Sequence, residues 1–105
     1  MAKSIIQEKT EKLDRECFLC MRNYGIHNNI DLHKHHFMHG TANKKLAEKY
    51  GLWAYVCNTR HHEYGPESPH GNPDVDRELR KIAQEKFEEL HGHDKWMEVF
   101  GKNYL

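Results

Sequence analysis

Apolar and polar positions divide the chain into blocks of distinct periodicity. A polar run over 4–15, with Ile5, Ile6 and Leu13 as its aliphatics, reads as a short helix or a frayed arm. Cys17-Phe18-Leu19-Cys20 follows, and the turn-rich Met21–Gly25 suits the tip of a metal-binding hairpin. Ile30-Asp31-Leu32 leads into a strand that carries His33, His35 and His36. Thr41 is placed to cap a helix over Ala42–Tyr50, with Gly51 as its left-handed stop. Leu52–Val56 is aromatic and β-branched, the most strand-like run, and it delivers Cys57. Asn58–His62 begins a short helix or turn, and the Pro- and Gly-rich stretch 63–71 excludes regular structure.

Asn72-Pro73 opens the best-defined helix, with Asp74 and Asp76 against the positive end of its dipole. Val75, Leu79, Ile82, Ala83, Phe87 and Leu90 form one apolar stripe at helical spacing, and Gly92 ends it. A last short helix spans roughly Asp94–Phe100. The pattern predicts an α+β fold: an N-terminal helix or arm over 1–16 and a single metal-binding domain over 17–105.

Composition sharpens this picture. Only 37% of the 105 residues are apolar and 30% are charged, with a mean hydropathy of −0.99. So thin a core calls for reinforcement by a metal, an extra helix or a partner. No segment has the length of a membrane span or the apolar core of a signal peptide, so the sequence predicts a cytoplasmic protein with no membrane partner. Three cysteines, an odd number, favour metal ligation over a disulfide frame. Net charge is zero, which weighs against a polyanionic partner. It is unevenly spread, however: nine Lys or Arg face six Asp or Glu through Tyr50, and seven face ten after it. The positive front half carries the histidine run and can receive a polyanion.

Two constellations carry candidate chemistry. Cys17, Cys20 and Cys57, with His61 beyond them, offer four nitrogen and sulfur donors in two closely spaced pairs, the pattern of a tetrahedral zinc site. Three thiolates on one dication leave a net charge of minus one, which suits a structural ion that clamps the two halves of the domain. The second constellation is the run His33-Lys34-His35-His36-Phe37-Met38-His39. Histidine both ligates metals and exchanges protons near neutral pH. His61 and His62 point about 100° apart on a helix, so His62 can face the His35–His36 strand while His61 completes the zinc set. Of the strand pair, His35 is assigned as a ligand and His36 as a general base. Neighbours on a regular strand face opposite ways, so both reach one centre only if the strand ends or kinks there.

His70 is the candidate third ligand, with Asn72 either orienting it or capping the following helix. His33 shares a strand face with His35 and is an alternative ligand. His33 and His39 are otherwise read as solvent-facing or supporting residues. His91 and His93 are read as structural, at a helix C-terminus.

The order CxxC, a strand-borne His35-His36-Phe37, then Val56-Cys57 and Arg60-His61-His62 resembles the HNH nuclease family with its ββα-metal, treble-clef-like fold. Glu48–Leu52, the His70-x-Asn72 pair, Ile82–Gln84 with Phe87–Glu89, and the ending Phe100–Leu105 extend the likeness over about residues 17–105. They resemble small phage-type members, similar to the nuclease domain of recombination-enhancement RecA-dependent nucleases. The resemblance implies structural Zn2+ on Cys17, Cys20 and Cys57, His36 as general base, and His62 on a catalytic Mg2+, Mn2+ or Zn2+. It implies DNA as substrate and a RecA-like recombinase filament as partner. Asn43 and Asn58 compete for the family's middle asparagine. His35 stands where many members carry an acidic residue, and Cys57 and His61 are separated by three residues where two are usual. The competing expectation is a non-catalytic zinc module that binds DNA or a recombination protein.

Overall fold

A computed structural model of the chain describes residues 3–8, 10–58, 68–69 and 71–105. Among them run, in chain order, α1 (Phe18–Tyr24), β1 (Leu32–His36), α2 (Thr41–Tyr50), β2 (Trp53–Cys57), α3 (Pro73–His91) and α4 (His93–Phe100). The fold is small and α+β, as the pattern predicts. β1 and β2 pair antiparallel, with Leu32 opposite Cys57 and His36 opposite Trp53. The connection between them is α2, whose entry is a sharp turn at Gly40 (φ 93°) and whose exit is a left-handed Gly51. None of the described helices is long and apolar enough to cross a membrane.

Opposed partners on an antiparallel pair share a face. His33, His35, Ala54 and Val56 therefore point one way, and Leu32, Lys34, His36, Trp53, Tyr55 and Cys57 the other. Buried Phe37, Leu52, Ala54, Val56, Leu79, Ala83, Phe87 and Trp96 belong to one core. Trp96 anchors its C-terminal side: its ring lies 5.4 Å from Phe87 and 4.4 Å from Phe100, and its indole N–H donates to the Lys102 carbonyl at 2.7 Å.

Four expectations are corrected. Thr41 is not a cap: α2 begins at Thr41 itself, Gly40 takes the cap position, and no side chain bonds the first turn. The run 4–15, read as a helix or a frayed arm, is not helical in its described residues. It is an arm pinned along the edge of β2 that β1 leaves open: the Ser4 hydroxyl donates to the Trp53 carbonyl, Ile5 N–H to the Gly51 carbonyl at 2.9 Å, and Tyr55 N–H to Gln7 Oε1 at 2.9 Å. Its polar side chains supply hydrogen bonds that an exposed sheet edge otherwise gives to water or to another chain. Met21–Gly25 is not a hairpin tip, because residues 18–24 are helical. Buried Leu19 and Cys20 anchor that helix, the Cys17 sulfur caps its start, and Gly25 closes it in the left-handed conformation. Leu90, the last member of the predicted stripe, is 63% exposed, one turn beyond Phe87 where α3 has left the core.

The start of α3 is as read: the Asn72 side-chain oxygen accepts from Asp74 N–H at 2.9 Å, with Pro73 in the first turn. The irregular stretch 63–71 and the short helix expected over 58–62 lie largely outside the described residues.

Candidate metal centres

The first centre forms where α1 meets the end of β2. Cys17, Cys20 and Cys57 are each at most 3% exposed, and their sulfur atoms all lie within 4.8 Å of one another. Cys20 Sγ and Cys57 Sγ are 3.7 Å apart. Tetrahedral zinc, with Zn–S of about 2.3 Å, sets its sulfurs about 3.8 Å apart, so the spacing fits. Backbone and side-chain donors already address the sulfurs: Cys20 N–H points at Cys17 Sγ (3.3 Å) and Asn28 Nδ2 at Cys20 Sγ (3.7 Å). Burial pushes the Cys17 thiol up to about 12 and raises the Cys20 thiol too. Without a cation these are neutral thiols, and only a strongly attracting ion makes three thiolates there favourable. The three cysteines can thus coordinate a metal such as zinc. His61, the expected fourth ligand, lies outside the described residues.

The second centre lies at the other end of the hairpin. His36 is four residues along β1 from Leu32, which faces Cys57, so the two ends are about 13 Å apart. Here the strand pair diverges. His35 is 2% exposed and faces Ala54, whose methyl leaves room for the ring. Its ring centroid is 5.3 Å from that of His39, and His35, His39 and Asp76 place ligand atoms within 4.8 Å of one another. Asp76 arrives from the first turn of α3. Its Oδ1 is 2.5 Å from His39 Nε2, and its Oδ2 accepts from Arg80 Nε at 3.0 Å. Burial alone would raise the Asp76 carboxyl, but the His39 hydrogen bond, then the His39 and Arg80 charges, outweigh it and hold it below the usual aspartate range.

His36 points to the opposite face and meets α2. Its Nε2 is 2.6 Å from Glu48 Oε2, while Lys34 Nζ is 2.6 Å from Glu48 Oε1. Burial raises Glu48, yet the hydrogen bonds from Lys34 and then His36 prevail and keep it below the ordinary glutamate value. Since β1 ends at His36, a groove of about 380 Å³ wraps the strand end and is lined by both His35 and His36, with His39, Lys34 and Lys44. The expected strand end therefore lets both histidines open on one space.

His62 and His70 lie outside the described residues. Asn72 caps α3. Asn43, in the first turn of α2, is half-buried and does not line the groove. Asn58 follows Cys57, and its backbone N–H donates to the Asp31 carbonyl at 2.9 Å. That places it at the thiol end of the hairpin. His33 is on the surface beside Asp31 (3.4 Å). His91 packs its ring 4.7 Å from Phe87 in the last turn of α3, whereas His93 opens α4 and pairs with Glu88 at 2.9 Å. Sequence reasoning missed Asp76 and Glu48, and it left His39 as a bystander. None of the three had a local signal: His39 follows His35 by four residues, a spacing that brings side chains together on a helix but not at a strand end. Compared with known protein families, curated proteins and solved structures, the chain matches none.

Proposed function

We propose that this chain is a divalent-metal-dependent endonuclease that hydrolyses DNA phosphodiesters, built on a ββα-metal core of the HNH type. One observation carries the reading. Adjacent histidines at a strand end are sorted between two tasks, His35 among metal-type donors and His36 against a carboxylate, and both line one groove. With Nε2 engaged by Glu48, His36 presents Nδ1 as its basic nitrogen. That atom takes the proton from the attacking water, and Glu48 stabilises the imidazolium that forms. Lys44 at the groove rim attracts the phosphodiester. A divalent ion held by His35, and on the sequence reading by His62 and His70, would supply Lewis-acid polarisation of the phosphate and charge neutralisation at the leaving 3′ oxygen.

Cys17, Cys20, Cys57 and His61 hold structural zinc in this proposal, clamping α1 to β2 and so fixing the hairpin that presents the histidines. The resemblance to RecA-dependent nucleases extends the proposal to a cytoplasmic role beside a recombinase filament. End analysis of the products tests the reading. Incubation of duplex DNA with the protein and Mg2+ or Mn2+ should give 5′-phosphate and 3′-hydroxyl ends, and chelation should stop the reaction. Ends of the opposite kind, or cleavage indifferent to chelation, contradict it.

A further inference from the structure

We infer that His35, His39 and Asp76 together form a second, thiolate-free binding site for a divalent cation such as Zn2+ or Mn2+. This rests on the nuclease reading only for its purpose; the site itself stands on geometry. Its donors come from a strand, the turn after it and a helix 37 residues further on. Two imidazoles and one carboxylate are a borderline, open donor set, unlike the closed thiolate set at the other end of the hairpin. The three ligand atoms already lie within 4.8 Å of one another. His39 Nε2 and Asp76 Oδ1, at 2.5 Å, are closer than two ligands of one ion. With metal–ligand distances of about 2.0 Å, a tetrahedral ion holds its donors about 3.3 Å apart, so an ion replacing the shared proton moves them apart by only about 0.8 Å.

The surroundings are built to support such a site. Asp76 Oδ2 is held by Arg80 Nε at 3.0 Å, and Arg80 Nη1 donates to the Tyr104 hydroxyl at 2.9 Å, so the carboxylate is oriented through a chain reaching the C-terminal segment. Tyr104 is itself fixed by its N–H on Gln84 Oε1 at 2.6 Å. Supporting bonds of this kind orient ligands before an ion arrives. His35 and His39 line the groove, which gives an ion a path in and leaves a coordination position facing the space that His36 also borders. The set is complete without His62 or His70.

The test is 113Cd NMR on the full chain, backed by zinc titration against a competing chelator. Wild type should show two resonances, one in the thiolate range and one in the nitrogen–oxygen range, and should bind two Zn2+ ions per chain. Asp76→Asn and His39→Gln should lose the nitrogen–oxygen resonance or weaken that ion by at least about 10-fold, while the thiolate resonance persists and certifies the fold. His33→Ala, on the same strand face, should keep both. A wild type with the thiolate ion alone overturns the inference, as does a nitrogen–oxygen resonance unchanged in both variants. Two ions with no DNA cleavage would refute the nuclease reading and leave this site standing. Cleavage by a wild type whose nitrogen–oxygen resonance is unchanged in both variants would overturn this site and leave the nuclease reading, with the ion on His35, His62 and His70, standing.

Discussion

His36 Nε2 and Glu48 Oε2 lie 2.6 Å apart, joining the last residue of β1 to the last turn of α2. The contact fixes the ring and decides which nitrogen is basic. Lys34 holds the other oxygen of the same carboxylate and rests over the Trp53 ring at 4.0 Å, so the carboxylate is itself positioned. Glu48→Gln keeps the shape but removes the charge that stabilises imidazolium. Its cleavage rate should fall about 10- to 100-fold, less than removal of the base itself, with KM little changed. A rate equal to wild type would remove Glu48 from the site.

The same carboxylate makes stability depend on acid. Glu48 is depressed in the folded state by Lys34 and His36 against the opposing effect of burial. A depressed carboxyl contributes stability that is present above its unfolded value, about 4.3, and is lost as pH falls through the folded value. Urea midpoints should therefore drop as pH is lowered from about 6 to about 3, and the drop should be smaller in Glu48→Gln. Parallel curves for the two proteins would exclude this contribution.

Removal of metal from the cysteine centre should unfold the domain. Structural zinc contributes on the order of 10 kcal/mol in small metal-dependent folds, comparable with the whole stability of a domain, about 5–15 kcal/mol. Burial holds the Cys17 thiol at about 12 in the absence of an ion, so the stripped site gives back none of this through thiolate chemistry near neutral pH. Circular dichroism should show cooperative loss of helix under a strong chelator, recovery on zinc addition, and an unfolded Cys17→Ser variant. A chelated protein with an unchanged melt would show that the thiols act only as small apolar side chains.

Gly51 links α2 to β2 with φ 73°, and a Cβ there would collide with the Lys3 carbonyl oxygen of the N-terminal arm. Left-handed backbone at a non-glycine residue costs about 1–3 kcal/mol, and the collision adds to it by displacing the arm. Gly51→Ala should lower stability by about 2 kcal/mol or more, with faster proteolysis ahead of Cys17. Gly25→Ala, also left-handed but with open space around it, should cost less. Equal losses would show that the arm does not press on this turn.

Much of this fold is legible in the sequence wherever local chemistry decides. Asn72-Pro73-Asp74 marks the start of α3 because cap, fixed φ and dipole agree there, and the aromatic run to Cys57 marks β2. Where a long-range partner decides, the signal disappears. The polar arm 4–15 has helix-like composition but finds its hydrogen bonds on the β2 edge. Asp76 looks like an ordinary first-turn acid until folding brings it to His39. Glu48 looks like a surface residue of α2 until β1 pairs and lays His36 against it. The cysteine triad was readable because close spacing within CxxC is itself the geometry of a metal site, whereas His35–His39–Asp76 is assembled only by packing.

The most direct test of the account is the rate at which His36→Ala nicks supercoiled DNA in Mg2+ or Mn2+ beside wild type. Wild type should convert supercoiled circles to nicked ones, and the variant, still folded and still binding zinc at its cysteines, should be slower by about 100- to 10,000-fold. Equal rates, or no nicking by wild type with any divalent ion, would contradict the assignment of this strand end as a hydrolytic centre.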